Sequence, residues 1–297
     1  MRSSNSSPEA SKTSGYKNIS VKCRFCNSEN IVKKGFRQTE NRGKIQRYIC
    51  KKCGKSFCHD DGFYRMRNNE NIITMAIDMY LSSLSSRKMR NQLKRHTITK
   101  ISHVSILDWV RKYILKIQRF INTLKPKLSG RYYMDETAIV RDMRKDWFWC
   151  CVDWGTRFIS ATHYSLFRDK VNCVKFLENL VRHGIPKYIK TDSAHWYNNP
   201  IKDIFGFEVE HRKNNVRKTG KHNVRIETVF SKLKDRVKVF RGLKSLSSAP
   251  ILMNGLIIQH NFIEAHTTTG KIPCELASLN LDLGENRWLG MIKFSAR

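Results

Sequence analysis

The sequence predicts a mixed α/β core preceded by two small modules, and three observations carry that prediction. Residues 131–166 hold successive β-type runs, "RYYMDETAIVR", "DWFWCCVDW" and "TRFISATHYSL", rich in aromatic and β-branched residues. Helical and strand-like segments then alternate as "DKVNCVKFLENLVRHG", "IPKYIKTD", "FGFEVEHR" and "HNVRIETVFSKLKDRVK". Upstream, "CRFC" and "CKKC" stand 23 residues apart, a spacing that belongs to a metal knuckle rather than to a hydrophobic core.

The N-terminal segment, "MRSSNSSPEASKTSGYKNIS", has seven serines in twenty residues and no apolar stretch, so residues 1–20 are expected to be a disordered tail and not a secretory signal. Residues 21–60 are expected to form a zinc ribbon. Each Cys-x2-Cys turn lets two thiolates reach one ion, and two such turns complete a tetrahedron, so Cys23, Cys26, Cys50 and Cys53 are the expected Zn²⁺ ligands. Cys58 and His59, just beyond, read as a packed thiol and a surface imidazole. Such a ribbon serves either as a DNA contact or only as a metal-stapled fold; Lys33, Lys34, Arg37, Arg42, Lys44 and Arg47 favour contact. The five cysteines between Cys23 and Cys58 are not a secreted disulfide pattern and point to a reducing compartment.

Residues 68–120 read as three helices with helix-turn-helix spacing. "ENIITMAIDMYL" has an inner face of Ile72, Ile73, Ala76, Ile77 and Tyr80, and "SSRKMRNQLKRH" turns Met89 and Leu93 inward. Ser102 caps a third helix with Val104, Leu107, Val110, Ile114 and Ile117 inside; His103, Ser105, Ile106 and Trp109 would then lie near a major groove, Trp109 reading as core rather than as a base contact. A linker at 121–130, containing Pro126 and Gly130, separates these helices from the core. "WGT" at 154–156 is a hairpin turn, and "APILMNGLIIQHNFIEAH" is one further helix. The tail, 271–297, packs back through "ENRWLGMIKF".

Charge narrows the partners. The chain has 56 basic and 25 acidic residues, a formal net charge of +31. So cationic a chain would repel itself in compact form unless a polyanion screened it, and nucleic acid is the usual polyanion. No run approaches the roughly 18 apolar residues of a membrane span, so no membrane partner is expected.

Against this background three carboxylates stand out. Asp135 lies in the first core strand, Asp192 just after the fourth, and Glu227 on the 222–238 helix beside its apolar stripe of Ile226, Phe230, Leu233 and Val237. Brought to one sheet edge they would repel and take up protons unless divalent cations lay between them. A pair of Mg²⁺ or Mn²⁺ ions, about 3.5–4 Å apart, would resolve the conflict and suit phosphodiester chemistry. The bland alternative remains open at this level: a strand-end Asp caps a turn, and a helical Glu pairs with a Lys. Glu136, Asp142, Asp146, Asp153 and Asp169 read as turn or surface residues.

The stretch from about 131 to 270 resembles the DDE-type transposase and retroviral-integrase superfamily. The resemblance rests on "MDET", on "KTDSAHWYNN", on Glu227 with 34 residues between it and Asp192, and on Lys234 seven residues further on. "LIIQHNFIEAHTTTGKIPCELA" is similar to the family's tail, although Glu264-Ala265 and Ile272-Pro273-Cys274 depart from its usual residues. The whole layout is similar to insertion sequence 6-type or related archaeal transposases. The resemblance implies an RNase H-like catalytic domain over 131–270. It implies Asp135, Asp192 and Glu227 as ligands of catalytic Mg²⁺ (or Mn²⁺), with Lys234 catalytic beside them. It further implies 3′-end cleavage of element ends and strand transfer into target DNA by a polynucleotidyl transferase. The expected partners are double-stranded DNA, as terminal inverted repeats and target, and a second copy of the chain or more on DNA. The expected location is the cytoplasm, on the nucleoid. His103, Ser105, Arg225, Lys232, Lys234, Arg236 and Lys238 are the expected DNA contacts. A DNA-binding regulator without catalysis, or a nuclease of the same fold, are the alternatives.

Overall fold

The computed structural model describes residues 21–40, 43–96, 101–214, 224–239 and 243–296. The expected N-terminal tail, Arg42, the 97–100 turn before the third helix, and His222–Asn223 lie outside the described residues. The chain divides into two compact units, residues 1–60 and 61–297.

The first unit is a three-stranded antiparallel sheet, β1 (Ile31–Thr39), β2 (Gly43–Cys50) and β3 (Ser56–Cys58). β1 is exposed along nearly its whole length, so it contributes little apolar burial. The buried apolar residues of this unit are Cys23, Cys50 and Phe57, with Val21, Ile31 and Tyr48 packed against them.

The second unit begins with α1 (Glu70–Leu81), α2 (Ser86–His96) and α3 (His103–Ile121). Asn69 caps α1 and Ser102 caps α3, its hydroxyl accepting the Ser105 N–H at 3.0 Å. Met89 and Leu93 are buried as expected. The inner face of α3 is rotated from the expected one. It runs through Ile106, Trp109, Val110, Tyr113, Ile114 and Ile117, while Val104 is exposed. Ile106 is therefore core and not groove-facing, and Trp109 is core as expected. The stripe containing Trp109 and Tyr113 buries more apolar area than the one containing Val104, and burial decides the rotation.

The core sheet has the order β6-β5-β4-β7-β8, with β4 (Arg131–Arg141), β5 (Arg144–Asp153), β6 (Ile159–Ser165), β7 (Tyr188–Asp192) and β8 (Glu210–Asn214). β4, β5 and β6 are antiparallel neighbours, and β7 and β8 join parallel on the other side of β4. This is the RNase H-like arrangement. Side-chain alternation splits the sheet into two faces. Tyr132, Met134, Trp149, Cys151 and Ala161 meet α4 (Lys170–Val181) and α5 (Asn198–Phe205). Ile139, Phe148, Cys150, Val152 and Ile159 face the opposite layer. That layer holds α6 (Val224–Val239), α7 (Ala249–Ile258), the short α8 (Pro273–Leu276) and α9 (Arg287–Phe294), together with α1–α3. One hydrophobic core thus runs from Phe63 to Ile292, and Leu124 and Leu128 of the expected linker pack against it.

α7 does not continue as the regular helix expected over 249–266. Gln259–Ile263 widens into a π turn. Asn261 explains the widening: its side-chain amide accepts from the Ile159 N–H and donates to the Ile159 carbonyl, both at 2.9 Å. It pairs with the edge strand β6 as a neighbouring strand would, and the helix gives way to let it reach.

β4 and β5 are joined by a two-residue turn, Asp142–Met143, with φ of +46° and +61°. Both residues sit in the left-handed region that Asn-Gly fills with little strain. Met143 is 96% exposed, so nothing but the turn holds it there. Replacing the pair with Asn-Gly should raise the stability of this unit by about 1 kcal/mol, read as a higher denaturant midpoint with unchanged slope. A lower midpoint would mean that the Asp142 N–H bond to the Leu243 carbonyl, at 2.8 Å, is lost with the side-chain change.

Candidate active site and metal centre

The register of β4 and β7 builds the site. Tyr132 stands beside Ile189 and Tyr133 beside Lys190, and the paired ladder ends there. Two residues further on, Asp135 and Asp192 are therefore level with each other. Asp192 is the last residue of β7, and Asp135 lies within β4 just past the point where the pairing of the two parallel strands stops. Asp135 accepts the Glu136 N–H at 2.9 Å, and Asp192 accepts the Ala194 N–H at 3.0 Å.

Carboxylate oxygens of Asp135, Glu136 and Asp192 all lie within 4.8 Å of one another. Glu136 was expected at a turn or the surface; it is only 6% exposed. Strand alternation puts it on the α4–α5 face with Tyr132 and Met134, so a buried acid there requires partners. Arg168 Nε donates to its Oε1 at 2.6 Å, and the Tyr197 hydroxyl bonds its other oxygen. Arg168 is itself held over the rings of Trp147, at 4.6 Å, and Trp196, at 4.2 Å. Its place on the core face of "YYMDET" was the available signal.

Burial, followed by the charges of Glu136 and Asp192, pushes the Asp135 carboxyl up to about 7. Desolvation also raises Glu136, against the pull of Tyr197 and Arg168. The donor set is all oxygen, crowded and short of positive charge on the Asp135 side, which fits a hard divalent cation such as Mg²⁺ or Mn²⁺.

α6 packs on β4 and β5, on the Asp135 face of the sheet. Its expected stripe, Ile226, Phe230, Leu233 and Val237, is buried, with Val229 added. Glu227 is exposed at the first turn of α6, and its carboxylate is not within the 4.8 Å group. Lys234 and Lys238 are exposed along the same helix, and Lys232 is half-buried. Arg225 donates to the Trp154 carbonyl at 2.7 Å and lies 4.0 Å over the Trp154 ring. Arg236, expected among the DNA contacts, instead ties elements together: it bonds the Leu81 carbonyl, Gln259 and Glu264. Its position i+3 from Leu233 carries it over the apolar stripe to the ends of α1 and α7. His103 and Ser105, at the start of α3, are half-buried.

Other acids have structural roles. Asp153 is fully buried and accepts from the Ser129 N–H and hydroxyl and from the Thr156 N–H and hydroxyl, at 2.7–2.9 Å. Asp146 is buried against Arg141 and Tyr164, not at the surface. Asp169 caps α4.

In the first unit, Cys23, Cys26, Cys50 and Cys53 form one cluster, with Cys23–Cys53 and Cys26–Cys50 sulfurs each 3.6 Å apart. The two Cys-x2-Cys turns are built alike. Asn27 N–H returns to the Cys23 carbonyl at 2.8 Å and Gly54 N–H to the Cys50 carbonyl at 2.9 Å, with φ of +53° and +71°. Burial would raise the Cys50 thiol. The Cys53 N–H, the Cys26 thiol and the Lys52 N–H outweigh it and hold Cys50 at about 6. Four thiols at one point, with backbone donors favouring thiolate, fit a tetrahedral Zn²⁺. Cys58 and His59 are outside the cluster.

Residues 129–266 match the family model described as a DDE domain, of the IS240 transposase type. A 48.3 kDa uncharacterized protein of insertion element ISM1 from Methanobrevibacter smithii is 28% identical over 184 residues, which is 57% of this chain and 40% of the relative. The chain thus spans less than half the length of that curated relative. Among solved structures, the magnesium-bound catalytic core domain of HTLV-2 integrase aligns with a TM-score of 0.39 at 14% identity, over 52% of this chain and 98% of that one. The BIV integrase catalytic core domain aligns with a TM-score of 0.36 at 15% identity, over 51% and 95%. The 129–266 segment is thus similar to the DDE domains of insertion-sequence transposases. No helix among the described residues is long and apolar enough to cross a membrane.

Proposed function

We propose that the protein is a DNA transposase that cuts the ends of its element and joins the freed 3′-hydroxyls to target DNA. The observation that supports this reading most is the level placement of Asp135 and Asp192 on adjacent parallel strands, just past the end of their pairing. Asp135, Asp192 and Glu227 would hold catalytic Mg²⁺ or Mn²⁺, Glu227 being delivered by α6 from the Asp135 face. Bound divalent cations would activate the attacking oxygen and stabilise the leaving one.

The chain's own groups do the remainder. Asp135 stands opposite Cys150 on β5, and its backbone is fixed by pairing along the length of that hairpin. Glu136, through Arg168 and Tyr197, fixes the peptide that follows Asp135 and is a positioning residue. Lys234 and Lys238 would meet phosphates, and Lys234 shares the Glu227 side of α6. The four-cysteine unit, with Lys33, Lys34, Arg37, Lys44 and Arg47, and the α1–α3 helices, with His103 and Ser105, would recognise the terminal repeats. Two ends must be joined, so at least a dimer is expected on DNA.

The test incubates the full chain with its gene's flanking DNA and Mg²⁺, mapping new 3′ ends and joined products beside Asp192→Asn. Wild-type nicking and joining, with the variant still binding the ends but inert, is the expected result. Cleavage without joining would indicate a nuclease. End binding by both proteins with no cleavage would indicate a DNA-binding regulator, and the catalytic assignment would fall.

A further inference from the structure

On the α6 side of the sheet, basic side chains from three separate segments gather in one place. Arg157 comes from the turn between β5 and β6, Arg225 and Lys232 from α6, and His260 and His266 from the π turn and the segment after it. The His260 Nε2 donates to the Arg157 carbonyl at 2.9 Å, so that nitrogen carries the proton. The His260 and His266 rings are 6.3 Å apart, edge to face. Burial first, and then Arg157, Lys232 and Arg225, oppose the charging of His266. Arg157 likewise opposes that of Arg225. The nearby acid, Glu264, is already matched by Arg236 at 2.6 Å.

Arg157 is unusual in two independent respects. Its Nε and Nη1 are buried and have no hydrogen-bond partner. A guanidinium taken out of water without an acceptor is a costly arrangement, and native structures rarely keep one without a reason. Its backbone is also left-handed, with φ of +63°, a conformation that glycine adopts freely and a long side chain does not. Strain and an unpaired buried donor at the same residue point to a ligand.

We propose that Arg157, ringed by Arg225, Lys232 and His266, is a pocket for one backbone phosphate of the DNA strand. This rests on the transposase reading above and adds to it the residue that receives the strand. The ligand is an anion because the groups that act on one another here, Arg157, Arg225, Lys232 and His266, are cations and an imidazole. It belongs to a polyanion because the pocket continues into a basic and aromatic strip. Arg131 and Arg225 both stand over the Trp154 ring, at 4.3 and 4.0 Å. Lys190 stands 5.2 Å over Tyr133, and this pair is two residues along the strands before Asp135 and Asp192. A strand held at Arg157 can follow that strip to the acids.

The experiment uses the full chain without divalent cations, so that catalysis plays no part. Binding of a labelled duplex from the gene's own flank is followed by fluorescence anisotropy across a salt series. Arg157→Gln should bind about 10-fold more weakly, with a log K against log salt slope shallower by about one. Without DNA, Arg157→Gly should melt a few degrees higher than wild type, because it removes both the unpaired charge and the strain. Inorganic phosphate, against chloride at equal ionic strength, should raise the melting temperature of wild type but not of Arg157→Gln. A wild type that binds with a steep salt slope, and an Arg157→Gln that matches it, would overturn the pocket and leave the DNA reading standing. A wild type with no salt-dependent binding would overturn both. Lower melting of both variants, with no phosphate effect on wild type, would make Arg157 a structural residue and also overturn the pocket.

Discussion

Freed of divalent cations at pH 8, Asp135→Asn should melt several degrees above wild type, and with Mg²⁺ restored its catalysis should lie about 1,000-fold or more below wild type. The two effects have one cause. Burial, Glu136 and Asp192 hold the Asp135 carboxyl at about 7 in the folded protein. An unfolded chain releases that proton near 4. The folded-state value is the higher one, so the proton's contribution to stability is fully present below about 4 and is lost as pH rises through about 7. Above that, the metal-free fold carries a crowded charge that costs on the order of 2 kcal/mol after allowing for partial solvent access. Asparagine keeps the shape and removes the charge. The difference between the two proteins should therefore shrink as pH falls towards 4.5. Added Mg²⁺ or Mn²⁺ should raise the wild-type melting temperature at pH 8, and much less at pH 5, where protons compete for the same oxygens. The variant should show little response. An Asp135→Asn protein that melts below wild type at pH 8 would show that the carboxylate is a net stabilising partner, and the crowded-acid account would be wrong.

Much of this architecture is legible in the residues. Alternating β-type runs between 131 and 166 mark the three antiparallel strands, and the apolar stripe of α6 is buried where its spacing requires. The cysteine spacing marks the four-thiol cluster. What the sequence does not show is register. Nothing in "YYMDET" and "YIKTD" alone says that Asp135 and Asp192 stand level, since that follows from which strands pair and where the pairing stops. Strand parity, by contrast, was enough to bury Glu136, because Tyr132, Met134 and Glu136 share a face. The α3 error has a different source. Two apolar stripes compete on that helix, and only its neighbours decide in favour of Trp109 and Tyr113.

The least legible features are those made by long-range polar bonds. Arg236 looks like one more exposed cation on a basic helix, yet its partners are Leu81, Gln259 and Glu264, distant in sequence. Asn261 gives no sign of pairing with β6 from across the fold, and so the π turn is invisible too. Arg157 follows an ordinary "WGT" turn, and its left-handed backbone emerges only from the closed loop around Asp153. Local periodicity reports burial well; it does not report which charged side chains are already committed to partners, and that distinction separates the candidate DNA surface from the scaffold beneath it.

Removal of the metal expected at Cys23, Cys26, Cys50 and Cys53 should unfold the first unit while the second keeps its own transition. Of the three buried apolar residues in this unit, two are the cysteines Cys23 and Cys50, leaving Phe57 as the single buried hydrocarbon side chain among the described residues. One phenylalanine contributes roughly 2–3 kcal/mol by burial, far short of the ordering entropy of about 40 residues. Domains of that size need a staple, and a structural Zn²⁺ supplies on the order of 10 kcal/mol or more. The wild-type chain should therefore carry one tightly held zinc per molecule. A strong chelator under reducing conditions, or Cys50→Ser, should abolish amide protection along β1–β3. Cys58→Ser should leave zinc content and protection intact, because Cys58 stands outside the cluster. Protection that survives metal removal with all thiols reduced would show that Phe57 and its neighbours hold the sheet unaided. A core in which two of the three buried residues are cysteines argues that they do not.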